Sequence, residues 1–513
     1  MRLRLTEHAP MLPVTAALIA GIMIAAWRMP PVWLSAAGVV AGCGGGVAML
    51  RRGIRTAAAV PILAAAMFLG LSLAGMQRRT APLPEGTAMC EIELADDARP
   101  RADAATQHAD ARMVSIRTGE GKWQRTHARL RIYADTSLML RAGDRIVCRG
   151  RIRGFDTSTG FSRMMRGKGY SGSLYIHGGS ILRHSPGGTR VLFRTLHRRA
   201  VRRIAELPLS SGNMAVAQAV GTGETSMLGR DLRSGYSRAG TAHLLALSGL
   251  HVGIVFLFVN LLLGWLPLVR RGNIIRHAAA ILLLWLYVLT TGMPAGAIRA
   301  AIMFTMLQTA LAASAEYSSL NALAGAAFIC LCFDTGLLFD AGFRLSYIAV
   351  AAIILCGVPL CRRLHITAGR RSSAIARCGA AAVNFITDTI VTGVVATAAT
   401  APLVSHMFGI IPLAGIIIAP AAIAAAAVTI LLTAVWIALP SGFAAPLFGG
   451  AVELAAGAMN GMSSWLASHD WAAADIRLSA WQTVTAYAVA AIAAFGVARI
   501  CTKNRKSENT LMK

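Results

Sequence analysis

The sequence predicts a polytopic α-helical membrane protein of about twelve spans, with a small external all-β domain of the OB type inserted after the third span. Three observations predict it. Apolar residues make up 55% of the 513 residues, mean hydropathy is +0.57, and the apolar residues gather in long blocks. Only 14% of residues are charged, against about a quarter in a soluble domain. Between 78 and 189 the blocks give way to short stretches that alternate polar and apolar with period two.

The first three spans read as 11–27, 31–50 and 57–76. An alternative makes 1–27 a signal peptide with Arg2 and Arg4 as its basic start, but a second apolar block follows within a few residues. Arg51, Arg52 and Arg55 lie between the second and third spans. With Arg2 and Arg4 they put the N-terminus and that loop in the cytoplasm, so the third span exits to the outside. Residues 1–77 are thus an N-terminal membrane region.

Within 78–189, "CEIEL", "ARMVSIRT", "HARLRIYA", "DRIVCRGRIRGF" and "SGSLYIHGGSILR" read as strands. Gly119–Gly121, Ala142–Asp144 and Gly178–Gly179 supply the turns between them. Five or six short strands in about 110 residues fit a small barrel. It lies outside the membrane by that orientation, and its many arginines do not contradict this, because long domains translocate whatever their charge.

Residues 190–210 open with "RVLFRTLHRRAVRRIAEL". Apolar residues fall at helical spacing, and Arg194, Arg198, Arg199, Arg202 and Arg203 fill much of the rest. This is a basic amphipathic helix lying on membrane lipids, or alternatively a solvated linker helix. The membrane region 211–500 carries further spans at about 242–269, 278–292, 296–313, 319–333, 340–360, 380–404, 411–438, 445–466 and 479–500. Of these, 411–438 and 445–466 are open to a re-entrant reading. Arg270, Arg271 and Arg276, then Arg362, Arg363, Arg370, Arg371 and Arg377, and a basic tail over 501–513, fall on one side. Both ends are therefore expected in the cytoplasm, with the chain in the cytoplasmic (inner) membrane.

No Walker A lysine motif, HxHxDH motif, CxxC pair or Cys/His metal spacing is present. The sequence thus offers no motor, no hydrolytic centre and no metal or cofactor site, and transport is a better reading than catalysis. Net charge is +27, from 50 Lys+Arg against 23 Asp+Glu, most of it arginine. Arginine pairs with phosphate as a planar fork; many of these residues are also topology signals beside spans.

The most informative stretch is Gln218–Asn260, where a polar, Gly-rich segment runs into a span holding His243, Ser248, Gly249 and His251. Polar groups at that depth face protein or a watery cavity, and a glycine there permits a break in the helix. Arg299 and Arg344 each sit just inside the outer end of a span. Such an arginine costs about 2.5–3.5 kcal/mol on insertion scales, a cost best borne on a polar path. With Arg230, Arg233 and Arg238 they would form a phosphate-attracting mouth. Alternatives remain: Arg344 paired with Asp340 four residues earlier, and Arg299 snorkelling to the headgroups. Ser248 and His251, at i,i+3, also have the spacing of a nucleophile and base, though no carboxylate in the segment orients the histidine.

"AGTAHLLALSGLHVG" resembles the hallmark of the ComEC competence family, and further resemblances follow in order: "TTGMPAGAIRAAIM", "SSLNALAGAAF", "FDAGFRLSYIAV" and "ATAATAPLVSHMFGIIPLAGIIIAP". They cover about 218–420, and the barrel with "RAGDRIVCRGRI" and "GFSRMMRGKGYSGSLYI" resembles the family's external N-terminal domain. The resemblance implies a channel that passes single-stranded DNA during natural transformation. It also implies an external DNA receptor, a cytoplasmic ATP-driven motor and a separate nuclease. Many members carry a metallo-β-lactamase-like domain. Without an HxHxDH motif this sequence is expected to be a short form, and nuclease activity is not carried over. Where the family often has Gln in "GFQLS", this sequence has Arg344. A rival reading is transport of another anionic polymer or a lipid-linked substrate, which the Gly- and Pro-broken spans also permit.

By this topology only Cys90 and Cys148 of the nine cysteines lie outside, in an oxidising compartment. Both fall on strands of the barrel, and a disulfide between them is expected. The alternative is two buried thiols.

Overall fold

A computed structural model describes residues 9–490, apart from short stretches at 28–30, 53–54, 78–82, 96–97, 101–105, 120, 139, 142, 156–158, 160–161, 163–164, 167–168, 186–189, 269–271, 367–372 and 440–443. The N-terminal arginines Arg2 and Arg4, the loop residues Arg270, Arg271, Arg370 and Arg371, and the basic tail lie outside the described residues. The chain divides into two compact units: Met1–Arg198 with Asn321–Asp340, and Arg199–Leu320 with Ala341–Lys513.

The first unit begins with helices α1 (Met11–Trp27), α2 (Val32–Arg51) and α3 (Arg55–Gln77). α2 carries Gly38, Gly42 and Gly46 at every fourth residue, on the face that meets α3. A Cβ at Gly42 would lie 2.7 Å from the carbonyl oxygen of Pro61, and one at Gly38 2.5 Å from the Phe68 ring. In lipid, where burial of apolar surface drives little, such close backbone packing holds helices together. The apolar helix Ser319–Phe333 joins this unit rather than the later spans beside it in sequence. The Thr15 hydroxyl donates to the Ala324 carbonyl (2.9 Å), the Met11 N–H donates to Asn321 Oδ1 (2.8 Å), and Gln77 Oε1 accepts from the Thr335 N–H (2.8 Å).

Five strands follow: β1 (Gly86–Leu94), β2 (Thr106–Arg117), β3 (Gln124–Asp135), β4 (Arg145–Gly154) and β5 (Tyr170–Ile176). They pair in the order β1-β2-β3-β5-β4, and β4 returns to β1 to close a barrel. Every pairing is antiparallel except β3 with β5. This is the connectivity of the OB barrel expected from the sequence. A sixth strand, β6 (Ile181–Ser185), extends the pairing of β4. Alternation sets the faces. Ile146, Cys148 and Ile152 of β4 point into the core with Cys90, Ile92, Met113, Leu130 and Leu174, while Arg145, Arg149, Arg151 and Arg153 point out. Cys90 stands directly opposite Cys148 in the β1–β4 register. Both are free thiols, so the expected neighbours are present and the expected bond is not.

The second unit takes in α4 (Arg190–Ala205) from Arg199 onward, then α5 (Ser211–Thr222), α6 (Arg230–Arg238), α7 (Ala242–Leu245), α8 (Gly249–Leu262), α9 (Gly272–Thr290) and α10 (Ala295–Ala312). It continues through α11 (Ala341–Ala352), α12 (Val358–Leu364), α13 (Ala374–Phe408), α14 (Gly415–Ala438) and α15 (Ala445–Ala467). A five-residue π turn, Ile353–Gly357, joins α11 to α12. The buried centre uses small residues such as Ala215, Ala219, Ala422, Ala426 and Ala456, which let α5, α14 and α15 approach closely.

Among the described residues, eight helices are long and apolar enough to cross a membrane, and Met11–Trp27 and Ser319–Phe333 are shorter apolar helices. The expected count of twelve is therefore not confirmed, eight helices among the described residues meeting both conditions. α15 is long enough but falls outside that apolar set, and the last expected span is described as helix only over 480–490. The span expected to start at 242 starts instead at Gly249, because the chain turns between α7 and α8.

Candidate functional site

The polar segment singled out in the sequence becomes a junction of broken helices in the second unit. α5 ends at Gly223, whose positive φ of 79° suits glycine. A Cβ there would lie 3.2 Å from Leu247 Cδ1 and 3.3 Å from the Thr291 carbonyl. α9 ends at Gly292 and Met293, both left-handed (φ 81° and 56°), and Pro294 then starts α10. The proline has no N–H to leave unpaired at a helix start. Gly296 in the first turn of α10 faces the start of α8, its Cβ position 3.5 Å from the Leu247 carbonyl and 3.8 Å from Ser248 Cα. The N-termini of α8 and α10 thus abut.

Ser248 caps α8. Its Oγ accepts from the Leu250 N–H (3.3 Å), and the Ser248 N–H donates to Nδ1 of His251 (3.3 Å). This is a capping box in which histidine stands where glutamate or glutamine is usual. The other ring nitrogen of His251 faces the Leu244 carbonyl at 3.1 Å. Because Nδ1 accepts, Nε2 carries the hydrogen and donates to that carbonyl. His251 is fully buried. Ser248 Oγ also lies 3.0 Å from Nδ1, so the spacing of a nucleophile and base is present, with both ring nitrogens engaged in holding the helix start.

Gly249 and Arg299 meet. A Cβ at Gly249 would lie 3.1 Å from Arg299 Nη2. Arg299 is 4% exposed and sits one turn into α10. Its Nη1 donates to the Ser346 hydroxyl, and its guanidinium lies 5.4 Å from the centroid of the Tyr347 ring, within cation–π range. Neither α8 nor α10 contains an acidic residue. Arg344 is half-buried two residues before Ser346 on α11, which is about 200° around the helix from it. Of the other expected residues, His243 is exposed and its Nδ1–H donates to the Gly240 carbonyl (3.0 Å). Arg230 and Arg233 are exposed on α6, and Arg238 faces Asp470 at 3.9 Å.

In the basic helix α4, Arg203 is held by structure. Its Nη2 donates to the Leu439 carbonyl (2.8 Å), it pairs with Glu206, and its guanidinium covers the Trp436 ring at 4.5 Å. Arg199 and Arg202 are exposed, Arg198 is half-buried, and the Arg194 side chain lies outside the described residues.

Sequence reasoning missed several participants. Ser346 and Tyr347 are polar-capable residues inside an apolar span, a signal that was there to read. So is a buried chain in which His277 Nδ1 meets Gln308 Oε1 and Gln308 Nε2 donates to Asn260 Oδ1 (2.8 Å). Two distant landmarks also touch. Gly240 of "AGTAHLL" has φ 72°, and a Cβ there would lie 2.9 Å from Pro412 of "FGIIPLAG". Among the described residues no group of three or more His, Cys, Asp or Glu side chains is arranged to hold a metal.

These features define a polytopic helical membrane protein with an OB-type barrel and a glycine-rich junction of helix starts around a buried arginine. Residues 221–499 match the family described as Competence protein, and the chain belongs to that family. ComE operon protein 3 of Bacillus subtilis (strain 168) is 33% identical over 150 residues, 29% of this chain and 19% of that relative. The match thus spans about a fifth of the relative's length. No solved structure matches. The competence-family resemblance carried by the sequence motifs is borne out.

Proposed function

We propose that this chain passes single-stranded DNA across the cytoplasmic membrane during natural transformation, with the junction of Ser248, Gly249 and Arg299 on the path. The observation that carries this reading is the meeting of two helix N-termini beside a buried arginine. Helix starts point N–H groups and positive partial charge outward. In membrane transporters, half-helix starts at a break face the anionic part of a substrate. With α8 and α10 free of acidic residues, this arrangement favours phosphate over a neutral solute. The barrel, placed outside, and the basic helix receive the polymer. Arg344 and the α6 arginines Arg230, Arg233 and Arg238 supply further positive charge. An external receptor, an ATP-driven motor and a separate nuclease complete the route. No bond-making step is assigned to Ser248 and His251, whose polar atoms already serve the helix cap.

A deletion strain tests this, with the wild-type gene restored in trans as the control. The expected result is loss of transformation and of labelled-DNA uptake, with envelope lipids and glycans unchanged. Normal uptake, with changed envelope glycans or lipids, overturns it in favour of another anionic polymer or a lipid-linked substrate.

A further inference from the structure

The outward face of the barrel is chemically lopsided. β1 presents Glu91 and Glu93, which are already engaged: Glu91 accepts from the Ser115 hydroxyl (2.7 Å) and Glu93 lies 3.6 Å from Arg145. The face built from β3, β5 and β4 is different. In register across it stand Tyr133, Tyr175 and Arg151. The two tyrosine rings are stacked, with centroids 5.0 Å apart and planes 17° apart, and Tyr175 is 41% exposed. Arg149, Arg151 and Arg153 project from alternate positions of β4, all exposed, and among the described residues none of the three is ion-paired. Alternate strand residues are about 6.7 Å apart, a rise of the order separating successive phosphates on an extended single strand. The acidic groups near this face are already engaged, and Glu85 Oε1, beside Arg153, accepts from the Gly154 N–H (3.2 Å). Asp110 is occupied by Arg131 (2.7 Å) and the Tyr170 hydroxyl (2.5 Å), and Asp135 accepts from the Gly178 N–H (2.9 Å).

Tyr175 is exposed and Tyr133 half-buried, and their stacked rings lie on the outer face rather than in the barrel core. Beside a row of guanidinium groups that have no ion pair among the described residues, they form what a single-stranded nucleic acid needs, aromatic faces for bases and cations for phosphates. We infer that the β3–β5–β4 face is a binding site for single-stranded nucleic acid, with Arg149, Arg151 and Arg153 on the backbone and Tyr133 and Tyr175 stacking on bases. This deepens the channel reading and rests on it for the identity of the polymer.

The test uses the full chain in lipid nanodiscs and fluorescence anisotropy of a labelled oligo-dT, a duplex of equal length, and heparin. The triple variant Arg149→Gln/Arg151→Gln/Arg153→Gln should weaken oligo-dT binding and lower the slope of log K against log salt by about 2. Tyr133→Ala/Tyr175→Ala should weaken it by on the order of 5- to 150-fold for each base released from stacking, with the slope unchanged. Tyr175→Phe, which keeps the ring, should bind as wild type and serves as the folding control. Wild-type affinity and slope in the triple variant would overturn the site. So would equal affinity for duplex and oligo-dT, or heparin binding with no effect of the tyrosine variants, since each removes the role of the bases. Transformation assays separate this from the channel reading. Barrel variants that fail to bind in a strain whose deletion still transforms would uphold the site and sink the channel. Loss of transformation on deletion with unaffected binding in the variants would do the reverse.

Discussion

At Gly249 a missing side chain makes room for a guanidinium. Any Cβ there presses on Arg299 Nη2, so Gly249→Leu should displace Arg299 from Ser346 and Tyr347. We expect transformation to be abolished while the protein still inserts and accumulates, measured by immunoblot of membranes beside transformation frequency. Full transformation by that variant would remove the junction from the path. Arg299→Gln gives up a buried charge-assisted bond worth about 2 kcal/mol together with the positive charge, whereas Arg299→Lys keeps a point charge. DNA entry should fall further in the Gln variant and depend less on salt. Equal uptake by wild type, Lys and Gln at low and high salt would favour snorkelling. In the barrel, opposed residues of antiparallel strands have Cα atoms about 4.5–5.5 Å apart, within reach of a disulfide, and Cys90 and Cys148 are opposed in this way. Burial pushes both thiols up to about 12, Cys148 further helped by Cys90 beside it. A thiol raised in the folded state stabilises it below the unfolded value and loses that contribution as pH climbs toward the folded one. The reduced protein should therefore melt at lower temperature at pH 10 than at pH 7. A disulfide, closing a loop of about 60 residues for roughly 4 kcal/mol, should abolish that dependence. Full labelling of both cysteines in unfolded, unreduced protein is expected, since both are free thiols, and failure of either to label would overturn that.

The start of α8 shows why an element can be half legible. Ser248, Gly249 and His251 were visible as polar and small residues inside an apolar stretch, and the break was foreseeable from the glycine. The cap was not, because the usual signature has Glu or Gln at the third position and histidine disguises it. His251→Gln should then keep the cap and transformation, while His251→Leu loses a cap worth about 1 kcal/mol and lowers melting temperature. If Gln at 251 abolished transformation in a stably inserted protein, a chemical role for the imidazole would displace the capping role. The contact between Gly240 and Pro412 was beyond reach for a different reason. Each lies in a motif with its own local logic, and no periodicity joins segments so far apart in the chain.

On the scale of the whole molecule, alternation made the barrel strands readable, because a side-chain period of two survives any topology. The parallel pairing of β3 with β5 left no trace in that period, and neither did the opposition of Cys90 and Cys148. Span counting was less secure, since α15 carries Glu453 and Asn460 within its length and length alone does not fix a crossing. The grouping of Ser319–Phe333 with the N-terminal helices depends on hydrogen bonds donated by Met11 and Thr15 and one accepted by Gln77, which hydropathy cannot see. Orientation is testable with two single-cysteine variants in a cysteine-free background. A cysteine placed at Lys122, on the exposed turn between β2 and β3, should react with an impermeant maleimide in intact spheroplasts. Cys378, exposed near the start of α13, should react only after permeabilisation. The opposite pattern would invert the assignment of sides.

The cap at Ser248 also ties a helix to the number of protons on one ring. His251 holds the Ser248 N–H with a bare nitrogen lone pair. A second proton would occupy that lone pair and set two N–H dipoles against each other. The first turn of α8 would then lose its latch, and Gly249, which fixes where Arg299 rests, would move with it. Acid reaching this buried ring would therefore loosen the junction from within, without a ligand and without a change in any charged residue of the barrel.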